Sequence, residues 1–98
     1  MGRYGRIMMK FNPHMKVRNV AGEHIVMRMG AAAGDMTTVM ALNESSILIY
    51  DNLKNRSFSI DDVVTLLTDN YEVEPNQART DAAEWEQKMR EYSLIIDA

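Results

Sequence analysis

The side chains that most often bind metals or carry out catalysis are sparse in this sequence. His14 and His24 are the only histidines, they lie ten residues apart, and neither has a carboxylate at a spacing typical of a metal site. The chain has no cysteine, which excludes thiolate nucleophiles, cysteine-based zinc sites and iron–sulfur clusters. We therefore expect neither a metal ion nor a cofactor.

Serines and carboxylates are present, but not in the patterns of catalytic sites. The Ser45-Ser46 pair lacks the flanking glycines of a nucleophile elbow, and no glycine-rich loop opens a helix to hold phosphate. The acidic pair Asp61-Asp62 falls in the first turn of a predicted helix, where adjacent side chains do not face each other. The sequence therefore predicts a non-enzymatic protein, and binding surfaces remain as the candidates for function.

Length and composition indicate one folded domain. The chain has 98 residues, of which 46% are apolar and 26% charged, close to the average of soluble globular proteins. The longest apolar run, residues 47–50, is far too short for a membrane span, and the N-terminus lacks the apolar stretch of a signal peptide. We expect a cytoplasmic location and no membrane partner.

Charge is distributed unevenly along the chain. Residues 1–28 carry six basic residues against Glu23 alone, a net charge of +5, whereas residues 29–98 sum to −8. Such asymmetry is typical of an arm that seeks an acidic partner or nucleic acid, but also of a solvated tail.

The elements that would form a binding surface begin with short strands. Residues 1–14 lack periodicity and end in Asn12-Pro13, a turn pair, so we expect a flexible arm there. Residues 16–20 and 24–29 alternate in polarity around Ala21-Gly22, which predicts a hairpin. Residues 30–35 read as a loop, and residues 36–42 as a third strand.

The period then changes from strand to helix. Asn43 is a good N-cap for a helix over residues 44–54, and Ser59 with Asp62 forms a variant of the capping box before a second helix. Pro75 is tolerated in the first turn of a third helix over residues 76–92. Residues 94–96 would form a short strand or an apolar cap. The order predicts an α+β fold with a small antiparallel sheet followed by a three-helix bundle.

Two surfaces of this fold are candidates for binding. Residues 37–41 of the third strand contain no charge or proline, so at a sheet edge they would accept an added strand; the alternative is an interior strand. The third helix mixes Trp85 and Met89 with charged residues, either as a contact surface or as a core stripe with a solvated face.

Four short segments together resemble the PqqD-like family. They are Val20-Ala21-Gly22-Glu23, Leu42-Asn43-Glu44-Ser45 leading into Ile49-Tyr50-x-x-Leu53, Asp81-Ala82-x-x-Trp85, and Tyr92-Ser93-Leu94-Ile95. The resemblance covers about residues 15–96, nearly the whole chain beyond the arm.

The resemblance implies a winged-helix domain over residues 15–98 that recognises precursor peptides. Such domains bind a leader peptide as a strand added to the third strand, in a groove walled by the third helix. They bring it to a radical S-adenosylmethionine enzyme or another peptide-modifying enzyme. The implied peptide-binding residues are Thr37, Thr38, Val39, Met40, Ala41 and Leu42 on the edge, and Asp81, Trp85, Lys88 and Met89 on the wall.

The sequence departs from the family pattern at three positions. The family has glycine where Ser46 and Ser93 stand, and an apolar residue where Glu86 stands. Ser93 is expected to weaken a left-handed helix stop, because glycine adopts that conformation without steric cost. Glu86 is expected to place a charge in the groove. The peptide pathway served is either pyrroloquinoline quinone synthesis or a different one.

Two other functions fit parts of the sequence. A winged-helix nucleic-acid-binding domain has the same elements, but the third helix carries Asp81, Glu84, Glu86 and Glu91 against three basic residues, a poor match to phosphate. A generic interaction scaffold is the other alternative. We expect peptide binding and no nucleic-acid partner.

Overall fold

The computed structural model describes residues 7–29 and 36–98, with the backbone alone at residues 29 and 36–39. The chain order within these residues is β1 (Met9–Phe11), β2 (Met15–Val20), β3 (Glu23–Met29), β4 (Met36–Leu42), α1 (Glu44–Leu53), α2 (Ile60–Asn70), α3 (Pro75–Glu91) and β5 (Ile95–Asp97). The predicted α+β order, an antiparallel three-stranded sheet followed by three helices, is confirmed. None of the helices in this described part is long and apolar enough to cross a membrane.

The main sheet contains β2, β3 and β4, with β3 in the middle. A two-residue turn at Ala21 and Gly22 joins β2 to β3, and these residues have positive φ angles of 52° and 86°. Positive φ at both central residues is typical of a type I′ turn, whose twist matches that of the flanking strands. The turn sets the antiparallel register, in which Val20 lies opposite Glu23.

The register between β3 and β4 shifts by one residue partway along the pair. Val26 lies opposite Met40, whereas Met27 lies opposite Thr38, so Val39 has no partner in β3. One extra residue in one strand is a β-bulge, which bends that strand and increases its twist. The bulge therefore lies near the middle of β4.

The first two helices begin at the residues that the sequence predicted, and α3 begins one residue earlier, at Pro75. The Asn43 side chain accepts the Ser46 N–H at 2.9 Å, which satisfies one of the orphan amides of α1. The capping box of α2 is formed, with the Asp62 carboxylate accepting the Ser59 N–H at 2.9 Å. Pro75 is at the start of α3, where its missing N–H removes no helical hydrogen bond.

One hydrophobic core joins the sheet to the helices. The α2 and α3 helices contact each other, and Ala78 and Ala82 of α3 are fully buried, so small side chains allow a close approach. The core receives large side chains from every part of the fold, among them Met9, Val26, Ile49, Phe58, Val63 and Leu94. Because all of these elements bury apolar side chains in the same core, the β2–β3–β4 sheet, the β1–β5 strand pair and the three helices form one unit.

The N-terminal strand corrects one prediction. Residues 1–14 were expected to be a flexible arm; residues 1–6 lie outside the described part of the chain, but Met9–Phe11 forms β1 and pairs antiparallel with β5. Met9 also exchanges two backbone hydrogen bonds of 2.8 Å with Phe58. Phe11 is only 7% exposed, and its ring lies 5.1 Å from that of Tyr50. The arm prediction is wrong for these residues, because apolar burial and strand pairing hold them in the domain.

A turn after α3 leads the chain into β5. Ser93 has a left-handed φ of 60°, its N–H donates to the Arg90 carbonyl at 3.0 Å, and the Leu94 N–H donates to the Met89 carbonyl at 2.8 Å. These two bonds define a Schellman motif, and the burial of Met89 and Leu94 supplies its usual apolar contact. A serine thus occupies a position that favours glycine.

Candidate functional site

The outer edge of β4 is the first part of the candidate site. The main sheet ends at β4, and no strand in the described part of the chain pairs with its outer side. The sequence left open whether this strand is at the edge or in the interior, and the structure shows that it is at the edge. An edge strand has unpaired amides and carbonyls that form a template for another chain.

The β2–β3 turn determines which backbone groups of β4 face outward. In a hairpin with a two-residue turn, the flanking residues, here Val20 and Glu23, exchange backbone hydrogen bonds. Along each strand, the N–H and C=O groups of successive residues then point alternately to one neighbouring strand and to the other. Val26 therefore directs its N–H and C=O to its β4 partner, Met40. We infer that Ala41 directs its N–H and C=O to the outer edge.

A groove with a volume of about 630 Å³ lies between this end of β4 and α3. Met40 and Ala41 line it on the β4 side. The α3 wall is made by five residues at helical spacings of three and four, Asp81, Glu84, Trp85, Lys88 and Met89. The start of α1, the end of α2 and the segment after α2 complete the groove.

The structure brings most of the predicted site residues together. Six of the ten line this one groove, namely Met40, Ala41, Asp81, Trp85, Lys88 and Met89. The Leu42 side chain is instead buried in the core at 8% exposure and does not line the groove. Thr37, Thr38 and Val39 belong to the edge strand, and their side chains lie outside the described structure.

Other lining residues were not predicted as site residues. They come from α1 and its N-cap, from α2 and the segment after it, and from α3, and are Asn43, Glu44, Ser45, Ser46, Ile49, Leu67, Tyr71, Val73 and Glu84. Leu67 in α2 and Tyr71, the C-cap residue that follows it, carry a sequence signal, because a spacing of four places two residues on one face of a helix. That signal predicts the core, and it does not distinguish the core from the floor of a groove.

Trp85 has both of the roles that its sequence position left open. Its ring is half-buried, lies edge-on at 6.1 Å from the Phe11 ring, and also lines the groove. The indole Nε1 is buried and has no hydrogen-bond partner in the described structure. A buried donor without an acceptor costs about 1–3 kcal/mol.

The charges that line the groove are mainly negative. Three carboxylates, those of Glu44, Asp81 and Glu84, face one ammonium group, that of Lys88, which gives a formal charge of −2. The expectation that Glu86 adds a charge to the groove is wrong. Its carboxylate accepts from Arg90 Nε at 2.8 Å, Arg90 also binds Asp97 of β5 at 2.9 Å, and Glu86 does not line the groove.

Ser45 and Ser46 have a structural role at the start of α1. The Ser45 hydroxyl donates to the Asn43 side chain at 3.1 Å, and the Ser46 N–H binds the same oxygen, so both take part in capping α1. Among the described residues, no group of three or more histidine or acidic side chains is arranged to hold a metal ion. What the site offers is a strand edge beside a partly apolar groove.

Comparisons with known proteins agree with this fold. A search of the curated proteins finds no match. A solved structure, a lasso peptide synthetase B1 complexed with the leader peptide, superposes with a TM-score of 0.65 at 24% sequence identity. The superposition covers 90% of this chain and 96% of that one, and at this identity it establishes a shared fold.

A family model extends the comparison to the sequence. The model described as Coenzyme PQQ synthesis protein D (PqqD) matches residues 23–95, a segment that begins at β3 and ends at the start of β5. The match includes the β4 edge and the α3 wall, and it spans well over half of the 98 residues. The chain therefore belongs to the PqqD family.

Proposed function

We propose that this protein is a non-catalytic module that binds the leader of a ribosomally made precursor peptide by strand addition. It presents that peptide to a maturation enzyme, of the radical S-adenosylmethionine type or another peptide-modifying type. One observation carries the proposal: the outer edge of β4, which no described strand pairs with, lies beside a groove walled by α3. Membership of the PqqD family supports it, as does the shared fold with a lasso peptide synthetase B1 complexed with the leader peptide.

The backbone edge supplies the affinity that does not depend on sequence. Each guest strand residue that pairs with β4 gains main-chain hydrogen bonds, and Ala41 offers an N–H and a C=O to the guest. Ala41 is exposed and lines the groove, so a guest reaches this peptide group without displacing a side chain of the core. The backbone N–H and C=O groups of Met40 are not available to a guest strand, because they pair with Val26.

The groove supplies selectivity. Ile49, Leu67 and Met89 line it and are at most 8% exposed, so they form an apolar floor for alternate side chains of the guest strand. Trp85 adds a large ring to the wall, with an indole donor that has no acceptor among the described residues. A guest carbonyl that reached this donor after a small shift of the ring would recover a hydrogen bond of about 0.5–1.5 kcal/mol.

An amide-resolved NMR titration of the chain with leader peptides encoded beside its gene tests the proposal. We expect saturable shifts along residues 36–42 and on α3, with few shifts elsewhere. Spectra that stay unchanged at millimolar peptide for every candidate leader would contradict peptide binding and favour a scaffold that contacts the enzyme alone.

A pair of substitutions at Ala41 tests the mode of binding. Ala41→Pro removes the outward N–H, and proline is tolerated on an edge strand where its missing N–H faces solvent. Affinity for the leader should fall roughly two- to tenfold, the value of one hydrogen bond, while the fold persists. Ala41→Ser keeps the amide and is the matched control. Equal affinities of the two variants would contradict pairing at Ala41.

The nucleic-acid alternative has a distinct signature. Exposed Lys16 and Arg18 on β2 favour it, but the groove itself is acidic. Binding to random duplex DNA with an affinity that falls steeply with salt would revive that alternative.

A further inference from the structure

The groove has a charge that the strand-addition mode does not require. Glu44 extends from the first turn of α1, and Asp81 and Glu84 extend from α3, so carboxylates reach the groove from two different elements. All three side chains are exposed. A guest strand between β4 and α3 would therefore lie among carboxylates of two elements.

These carboxylates are not neutralised within the described structure. Neither Glu44 nor Glu84 has an ion-pair partner there, and Asp81 accepts only a neutral amide, Gln77 Nε2, at 2.8 Å. Lys88 lies one helical turn after Glu84 without forming an ion pair with it. The groove is thus left with unpaired negative charge.

The two arginines of α3 form ion pairs with carboxylates that do not line the groove. Arg79 Nη1 binds the Asp61 carboxylate of α2 at 3.3 Å. Arg90 binds Glu86 at 2.8 Å and Asp97 of β5 at 2.9 Å. Of the cationic side chains on α3, Lys88 is therefore the one that lines the groove.

We propose that the groove selects a leader segment with a lysine or arginine close to an apolar residue. This inference rests on the proposed function and names the class of peptide that the same site takes. In an added strand, alternate side chains point to the same face, so positions two apart would enter the groove together. One fills the apolar floor at Ile49 and Leu67, and the other meets the carboxylates of Asp81 and Glu84.

The size of the effect follows from the exposure of these carboxylates. An exposed ion pair contributes about 0.2–1 kcal/mol, so each one changes affinity by roughly 1.5- to 5-fold. Two pairs together should change affinity by about tenfold, and the change should shrink with added salt. The charge therefore determines which peptide is preferred, whereas the strand edge supplies most of the binding.

A peptide selection tests the proposal with a defined probe. A phage-displayed library of random peptides, each about a dozen residues long, is selected on the full chain, and the strongest binders are synthesised with a fluorescent label. We expect lysine and arginine to be enriched two positions from an apolar residue, and aspartate and glutamate to be depleted. Selected peptides that bind through the β4 edge but show no basic enrichment, or an acidic one, overturn the inference.

Charge-reversed chains give the control. Asp81→Lys with Glu84→Lys should weaken the selected basic peptides about tenfold or more. Asp69→Lys with Glu91→Lys changes the net charge equally at exposed positions outside the groove and should have little effect. If the two double variants lose affinity for the basic peptides equally, the effect comes from net charge alone and the inference is refuted.

Failure of the two proposals can be told apart with Ala41→Pro. If this variant weakens the selected peptides but charge reversal in the groove does not, leader binding by strand addition stands and the preference for basic residues is wrong. If neither change affects binding, the peptides bind elsewhere and both proposals fail.

Discussion

Replacing Ser93 by glycine should stabilise the protein. Ser93 is the left-handed residue of the Schellman motif after α3, with a φ of 60°. Its side chain is exposed and makes no hydrogen bond found in the described structure, so glycine loses no side-chain contact. The backbone bonds remain, including the one that the Ser93 carbonyl accepts from Asn12 Nδ2 at 2.8 Å. The substitution therefore isolates the backbone conformation.

The expected change in the free energy of unfolding is the difference between two opposing contributions. A left-handed conformation costs a residue with a Cβ atom roughly 1–2 kcal/mol. Glycine avoids that cost, but it loses more freedom on folding, which offsets about 0.5–1 kcal/mol. The free energy of unfolding should rise by about 0.5–1 kcal/mol. For a domain of this size that corresponds to an increase in Tm of roughly 2–8 °C.

Thermal and urea unfolding followed by far-UV circular dichroism measures this change. Ser93→Ala keeps the Cβ atom in the left-handed position and should leave Tm unchanged. Ser57→Gly is a second control, because Ser57 is exposed and has a negative φ, and that variant should lose stability. A Tm for Ser93→Gly at or below that of the wild type, with an unchanged m value, would refute the strain argument.

Three further predictions concern the elements around the groove. Phe11→Ala should lower the free energy of unfolding by about 3–5 kcal/mol, because a ring is removed from the core. Lys10→Ala, at an exposed position in the same strand, should change it little. Equal effects of the two substitutions in denaturant titrations would contradict a packed β1. Asn43→Ala should cost about 1 kcal/mol by removing the α1 cap and Asn43→Asp should not, as measured by Tm. Burial raises the pKa of Tyr50, so its contribution to stability is complete below about pH 10 and is lost as pH rises through the folded pKa. Tyr50→Phe should therefore reduce the loss of stability in alkali, measured as Tm against pH.

The local elements could be predicted because each carries its own signal. The β4 bounds follow from a run of uncharged strand formers between a run of small residues in the sequence and Asn43. The Ser59 capping box and Pro75 mark the starts of α2 and α3. Such signals lie within a few residues of the feature that they specify, so one sequence suffices to locate them.

The pairing of β1 with β5 could not be predicted in this way. Each strand has only three residues, too few for a period, and the two lie at opposite ends of the chain. Asn12-Pro13 correctly marks a turn, but a turn signal does not say whether the segment before it packs. The groove was half predictable for a related reason. The uncharged third strand and the third helix with Trp85 and Met89 could be named as candidate surfaces from the residues, and the resemblance to the PqqD-like family implied that they border one groove. The contributions of α1 and α2 depend on how the helices pack.

The bulge at Val39 has a consequence for self-association. A flat edge strand that pairs readily with a leader peptide would pair equally readily with the same edge of a second copy, and the product would be a dimer or a growing aggregate. Two bulged edges fit poorly against each other, because the extra residue and the added twist in each interrupt a continuous ladder. A short, pliable peptide can follow the bend, whereas a second folded domain cannot. The irregularity is thus expected to hinder pairing between two copies at this edge more than pairing with the flexible guest that we propose.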